Sequence, residues 1–166
     1  MNEFVHQRHK RPAALPEGCE LVLACPPLRS NVNVSRMLRA ASCCGVRRMI
    51  ACGRPKVDPK IARDGTDQVV LEVRRSLPPV LKRLRTDGYQ LVGLEQTSKS
   101  ICLHEFPFAA KTVLVVGHER LGLDQETLDV LDQVVEIPVY GLPYSFNVAT
   151  ATAIAMVEYC RQMATR

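Results

Sequence analysis

Apolar residues in this chain gather into short continuous runs, separated by stretches in which apolar positions recur every three or four residues. Glu20–Cys25 (ELVLAC), Arg48–Cys52 and residues 89–94, 112–116 and 134–137 are runs of strand length without polar alternation. That pattern marks strands covered on both faces. Between them lie helical patterns. Asn33 is placed to cap a helix whose apolar face uses Val34, Met37, Leu38 and Ala41, with Gly45 as its stop. Ser76 is placed to cap a helix through Arg85, with prolines in its first turn and Gly88 at its end. Asp124 introduces a short helix over 125–131, and Asn147 a long one over 148–163, rich in Ala and Thr. Residues 53–67 and 95–108 read as loops, and 68–73 as extended. Strands alternating with helices predict an α/β fold: a parallel sheet with helices on both faces.

At 166 residues the chain has the length of one domain. The first 18 residues are polar, basic and broken by proline, which predicts a flexible basic arm (1–18) before the domain (19–166). That arm lacks the apolar core of a signal peptide, and no apolar run is long enough to span a membrane, so a cytoplasmic location is expected. Seven cysteines without a Cys-x-x-Cys pair predict buried thiols packing as small hydrophobes, with neither disulfides nor a metal.

The net charge of +5 is unevenly placed. Residues 1–75 hold 14 Lys/Arg against 7 Asp/Glu, and residues 76–166 hold 8 against 10. A basic N-terminal half fits either a polyanion surface or an ordinary solvated one. Arg8, Lys10 and Arg11 in the arm, with Arg36, Arg54, Lys56, Lys60 and Arg63, are the candidates for phosphate contacts.

Two strands in the last third, 112–116 and 134–137, each end in a loop rich in glycine, proline and polar groups. In an open α/β sheet, ligands bind where strand carboxyl ends meet such loops. Gly117 and Gly122 (GHERLG) and Gly141 would let backbone approach a ligand closely. The glycine order does not match a dinucleotide fingerprint, which argues against a Rossmann cofactor enzyme. His104 and His118 are isolated and read as surface or locally hydrogen-bonded groups.

Three segments together resemble the motifs of the SpoU (TrmH-type) branch of the SPOUT methyltransferases. They are NVSRMLRAASCCG (33–45), VVGHERLGL (115–123) and IPVYGLPYSFNV (137–148), in the family's order and spacing. The similarity covers roughly residues 20–163. It departs from the family at His118, where asparagine is frequent, and at Phe146, where leucine is common. The resemblance implies a C-terminal deep trefoil knot, a homodimer, and S-adenosylmethionine as cofactor. It implies methyl transfer to a ribose 2′-hydroxyl of RNA, the group that separates RNA from DNA. The sequence GLEQTSKS (93–100) and the short arm place tRNA ahead of rRNA, with a D-loop guanosine as one target. A non-catalytic or partner-dependent RNA-binding subunit of the same fold is the alternative.

By that resemblance the catalytic set is Arg39, Glu119, Ser145 and Asn147. The cofactor set is Gln96, Gly117, Gly122, Ile137, Leu142, Ser145 and Phe146, with Ile137 and Leu142 as walls for an adenine. Asn33 joins the basic residues on the RNA side. Residue by residue, other roles stay open. Arg39 could be a helix ion pair, Glu119 could orient Arg39 or form a loop salt bridge, and Asn147 could cap its helix. A guanidinium is very hard to deprotonate, so Arg39 is expected to bind a phosphate and stabilise developing negative charge rather than act as a base.

Overall fold

Strands β1 (Glu20–Cys25) and β6 (Lys111–Val116) lie side by side at the middle of a seven-stranded parallel sheet. The computed structural model describes residues 3–7 and 10–166, and the statements that follow concern those residues. β2 (Arg48–Cys52) and β3 (Val70–Arg74) extend the sheet from β1. β4 (Gln90–Leu94), β7 (Gln133–Glu136) and the two-residue β5 (Ile101–Cys102) extend it from β6. The order is therefore β3-β2-β1-β6-β4-β7-β5, which bears out the expected parallel α/β architecture.

Both central strands are buried after their first residue, as the unbroken apolar runs require. Successive side chains go to opposite faces. Leu21, Leu23 and Cys25 join the core under helices α1 (Asn31–Cys43) and α6 (Val148–Ala164). Val22 and Ala24 join the core under α4 (Pro78–Thr86). Fully buried residues such as Leu23, Leu81 and Leu114 each contribute about 2 kcal/mol. With stability concentrated in the sheet centre, the loops at its ends are free to carry chemistry.

Four local expectations are corrected. Helix α1 begins two residues earlier than Asn33, because Ser30 is its N-cap and accepts from Asn33 N at 3.2 Å. Asn33 is thereby freed to point its amide elsewhere. Helix α4 begins after Leu77 with no side-chain cap, since two prolines at its start already lack the N–H groups that a cap would satisfy. The segment 53–67, expected as a loop, contains α2 (Pro59–Ala62) and the start of α3 (Gly65–Gln68). Asp58 starts α2 by accepting from Lys60 N at 2.9 Å. Finally, Cys25 and Cys52 are buried, but Cys43 is exposed and Cys19, Cys44, Cys102 and Cys160 are half-buried. Cys43 and Cys44 end α1 and Cys102 lies on the edge strand β5, positions that leave these three outside full burial.

The helix expected over 125–131 also stops at Leu128, and 95–108, expected as a loop, holds the two-residue β5; the cap and stop signals hold. Gly45 and Gly88 follow their helices at φ 69° and 87°, conformations that suit glycine. Asp124 caps the short α5 (Gln125–Leu128) by accepting from Thr127 N at 2.8 Å. No helix is long and apolar enough to cross a membrane. Arg8 lies outside the described residues, whereas Lys10 and Arg11 are exposed.

Candidate functional site

The carboxyl ends of β4, β6 and β7 open into a cavity of about 280 Å³. Leu94, Val116 and Glu136 end those strands at its floor. The loops that follow supply its walls, including Gln96, Gly117, Gly122, Ile137, Ser145 and Phe146. Six of the seven residues expected at a cofactor therefore come together, from three loops spread between positions 96 and 146. Leu142 does not join them: it is 77% exposed, on the outer side of the 137–147 loop. Glu95, Glu136, His118 and Arg120 also line the cavity and were not anticipated as site residues.

The 117–122 turn is closed by a two-way backbone pairing of His118 with Gly122, each N–H···O at 3.0 Å. His118 Nδ1 accepts from Arg120 N at 3.1 Å and from Leu121 N at 3.3 Å. The ring does here what an asparagine side-chain carbonyl could do. The bonding pattern places the ring proton on Nε2, facing Glu119 Oε2 at 3.7 Å.

One side-chain chain joins all three conspicuous segments. Glu119 accepts from Arg29 N at 3.1 Å, from Ser30 N at 3.0 Å and from Asn33 Nδ2 at 3.2 Å. Asn33 Oδ1 accepts from Asn147 Nδ2 at 3.2 Å. Asn147 Oδ1 accepts from Ala149 N at 3.0 Å and so caps α6. Burial works against a charge on Glu119, but the amides of Arg29 and Ser30 and the Asn33 side chain outweigh it and hold its pKa below the usual carboxylate value. Glu119 therefore fastens the start of α1 to the 117–122 turn and makes no hydrogen bond to Arg39.

Arg39 stands apart from the cavity. It is exposed on α1 and lines a second depression of about 600 Å³ between α1, α2 and α6. Arg36, Lys60 and Arg63 share this groove, over a floor that includes Ala40, Ile61 and Ala153. The loop carrying Lys60 and Arg63 is pinned to α1. Asp58 N donates to Ser35 Oγ at 2.9 Å, and a Cβ on Gly65 would meet Leu38 O at 3.0 Å. Arg63 sits at φ 50°, a strained value for a non-glycine residue that the surrounding contacts sustain. No salt bridge engages Arg36, Arg39, Lys60 or Arg63 within the described residues, so four cations are presented together. Arg54 and Lys56 are exposed in the preceding loop and lie outside the groove lining.

Comparison with known proteins agrees with this architecture. The model of the SpoU rRNA Methylase family matches residues 20–157. The tRNA (guanosine(18)-2′-O)-methyltransferase of Aquifex aeolicus is 28% identical over 147 residues, 86% of this chain and 70% of that protein. The enzyme of the same name from Escherichia coli K12 is 27% identical over 78% of this chain and 58% of its own length. Mouse tRNA (guanosine(18)-2′-O)-methyltransferase TARBP1 is 38% identical over 56% of this chain, which spans 6% of that much longer protein. Among solved structures, the A. aeolicus TrmH/SpoU tRNA modifying enzyme superposes with a TM-score of 0.82 at 26% identity, covering 89% of this chain and 80% of that one.

Proposed function

The chain belongs to the SpoU methylase family, and from that membership we propose that it transfers a methyl group from S-adenosylmethionine to a ribose 2′-hydroxyl of RNA, with tRNA as the favoured substrate. The observation that carries this reading is the hydrogen-bonded chain Glu119–Asn33–Asn147. It ties all three motifs together at the rim of the strand-end cavity.

The cavity suits the cofactor. Its apolar wall, with Ile137, Val139 and Phe146, can take an adenine, and the carboxylates of Glu95 and Glu136 favour a ligand bearing positive charge. Gln96, Gly117, Gly122, Ile137, Ser145 and Phe146 are the residues we assign to it, and Leu142 would contribute only if the 137–147 loop folds inward. When bound, S-adenosylmethionine supplies an electrophilic methyl on a sulfonium.

The chain's own residues do the rest. Asn33 and Asn147 position the ends of α1 and α6, while Glu119 holds the 117–122 turn. Arg39, with a planar fork of donors, binds a phosphate beside the reacting nucleotide and stabilises the charge that develops as the hydroxyl loses its proton. Ser145, at the cavity edge, is placed to hydrogen-bond the ribose. Arg36, Lys60 and Arg63 extend the phosphate track, and Arg54, Lys56 and the arm residues Lys10 and Arg11 continue it outward.

We further propose a trefoil knot, a homodimer and a cytoplasmic location. The knot reading is supported by β7, which inserts between β4 and β5 before the chain returns to pack α6 against α1. The dimer reading is supported by α6, rich in Ala and Thr, whose Val157 is 59% exposed at the α6 side of the groove that holds Arg39, so a partner subunit there would border the RNA track. Sedimentation showing only monomer at micromolar concentration would overturn it. The arm (1–18) is read as a separate RNA-contacting segment of the domain that follows.

The decisive experiment incubates the protein with S-adenosylmethionine labelled in its methyl group and, separately, with total tRNA and rRNA, then maps the modified nucleoside. A 2′-O-methylated nucleoside from tRNA is expected. Label in rRNA alone would redirect the substrate. Cofactor and RNA binding without transfer would support a partner-dependent subunit instead.

A further inference from the structure

Glu95 stands one residue beyond the last residue of β4, and its carboxylate occupies space that two other loops leave open. A Cβ added to Gly122 would meet Glu95 Oε2 at 2.5 Å, and one added to Gly117 would meet it at 2.7 Å. The two glycines therefore make room first for this carboxylate. Glu95 Oε2 accepts from Leu123 N at 3.1 Å, just past the turn, and Oε1 accepts from Gln96 N at 3.1 Å. Gln96 in turn donates from Nε2 to Tyr144 O at 3.1 Å, reaching the 137–147 loop. Two adjacent residues thus tie together the three loops that wall the cavity.

We propose that Glu95 is a positioning residue for the cofactor: a latch whose two carboxylate oxygens hold the 95–96 loop and the 117–123 turn at the separation the cofactor needs. This inference rests on the reading of the cavity as the S-adenosylmethionine site. The carboxylate form matters, because each oxygen takes a backbone N–H. A glutamine at this position offers one accepting oxygen and turns an NH2 group toward the other N–H. The side chain keeps its size, so the pocket keeps its packing, but the latch is half open.

The test measures S-adenosylhomocysteine affinity by calorimetry for wild type, Glu95→Gln, Glu95→Ala, Gly122→Ala and the Glu95→Ala/Gly122→Ala double variant. Glu95→Gln is expected to weaken binding about tenfold, because it loses one of the two hydrogen bonds and sets an NH2 group against an N–H in its place. RNA affinity measured without cofactor should not change, a split that general loss of structure would not give. The three atoms nearest a Cβ at Gly122 all belong to Glu95, so Gly122→Ala should cost less when Glu95 is already alanine, the strain of its φ of 67° remaining in both backgrounds. The two substitutions are therefore expected to be non-additive by about fivefold or more. Amide hydrogen exchange at Leu123, measured without ligand, should speed up in Glu95→Ala, which removes both accepting oxygens. Affinity within twofold of wild type, strict additivity, or unchanged exchange would each overturn the latch. If wild-type protein binds no S-adenosylhomocysteine, the cofactor reading fails instead, and the exchange measurement still decides whether the latch exists.

Discussion

The strand-end cavity and the groove between α1, α2 and α6 differ in where their charges go. In the cavity, the carboxylates are consumed by fixed donors: Glu119 by two backbone amides and Asn33, Glu95 by two more amides, Glu136 by the Ser100 hydroxyl at 2.5 Å. Its polar groups are held in place before any ligand arrives, which suits binding of one small molecule in one pose. In the groove, Arg36, Arg39, Lys60 and Arg63 project from backbone that is itself pinned, yet their charged ends have no acidic partner among the described residues. Such a surface meets a polyanion whose phosphates repeat along a flexible strand. One region fixes geometry and the other supplies charge. Arg39 is the residue that must serve both if a methyl group is to cross from one to the other.

The sharpest way to break this division is at Arg39. Arg39→Ala should reduce single-turnover methyl transfer by about 10³-fold, in the range seen when a charge-stabilising donor is removed. S-adenosylhomocysteine affinity should stay close to wild type, because the cavity lining excludes Arg39. Arg39→Lys should fail nearly as badly, since a point charge does not reproduce the guanidinium fork. Transfer by Arg39→Ala within a few-fold of wild type would remove the groove from the chemistry.

A second test attacks the cavity's rigidity. Glu119→Gln leaves an NH2 group facing the N–H of Arg29 or Ser30 and should cost about 2 kcal/mol of stability. The effect should depend on pH with a definite sign. The Glu119 pKa is depressed from 4.5, so its contribution is present above that value and is lost as pH falls through the folded-state pKa. The melting-temperature gap between wild type and variant should therefore close on acidification. A gap that stays constant however far the pH falls below 4.5 while the protein remains folded would contradict the bonding described.

Much of this arrangement is legible in the amino-acid sequence. Unbroken apolar runs such as 112–116 gave the central strands, because a strand covered on both faces has no polar alternation to confuse it. The site loops were readable through their glycines and through Asn33, Glu119 and Asn147. What escaped was long-range pairing. Asn33 looked like a cap because its type suits one, and only the position of Ser30 and of Glu119, 86 residues away, shows that its amide is a tie between motifs. Glu95 carried no signal at all: a glutamate after a strand is ordinary until two distant glycines are found folded around it. Arg39 is assigned to the reacting centre by the resemblance, yet helical periodicity puts it on the exposed side of α1, in the groove.

A control of similar chemistry lies away from both depressions. Glu158, whose side chain is 6% exposed, pairs with Arg161 at 2.7 Å and accepts from Gln162 Nε2 at 2.9 Å, with His104 Nδ1 at 3.3 Å. The Arg161 bond is the largest cause of its depressed pKa, about 2. Glu158→Gln should lower stability at neutral pH by roughly 1 to 2 kcal/mol. The penalty should fade as pH drops from about 4.5 toward 2, where the wild-type carboxylate also becomes neutral. Cofactor and RNA affinities should be unchanged. A loss of cofactor binding here would mean that any weakening of α6 reaches the cavity, and the selective effects assigned to Glu95 and Glu119 would lose their force.

The smallest expected effect is the most specific to the groove. Lys60→Ala removes one cation at the N-terminal turn of α2 without disturbing the Asp58 cap, which uses the Lys60 backbone N–H rather than its side chain. RNA affinity should fall only a few-fold at 0.1 M salt, and the slope of log affinity against log salt should flatten by about one unit. Arg36→Ala and Arg63→Ala should each do the same. Turnover at saturating RNA should be kept in all three, because on the proposed reading these residues hold the strand and do not touch the reacting ribose. The Arg63 substitution carries an extra signature. Alanine gains nothing from φ 50° and loses the side chain, so a small stability loss should accompany the weaker binding. If the salt slope is unaltered in all three variants, the cations are ordinary solvated surface, and the RNA must enter from the other side of the cavity.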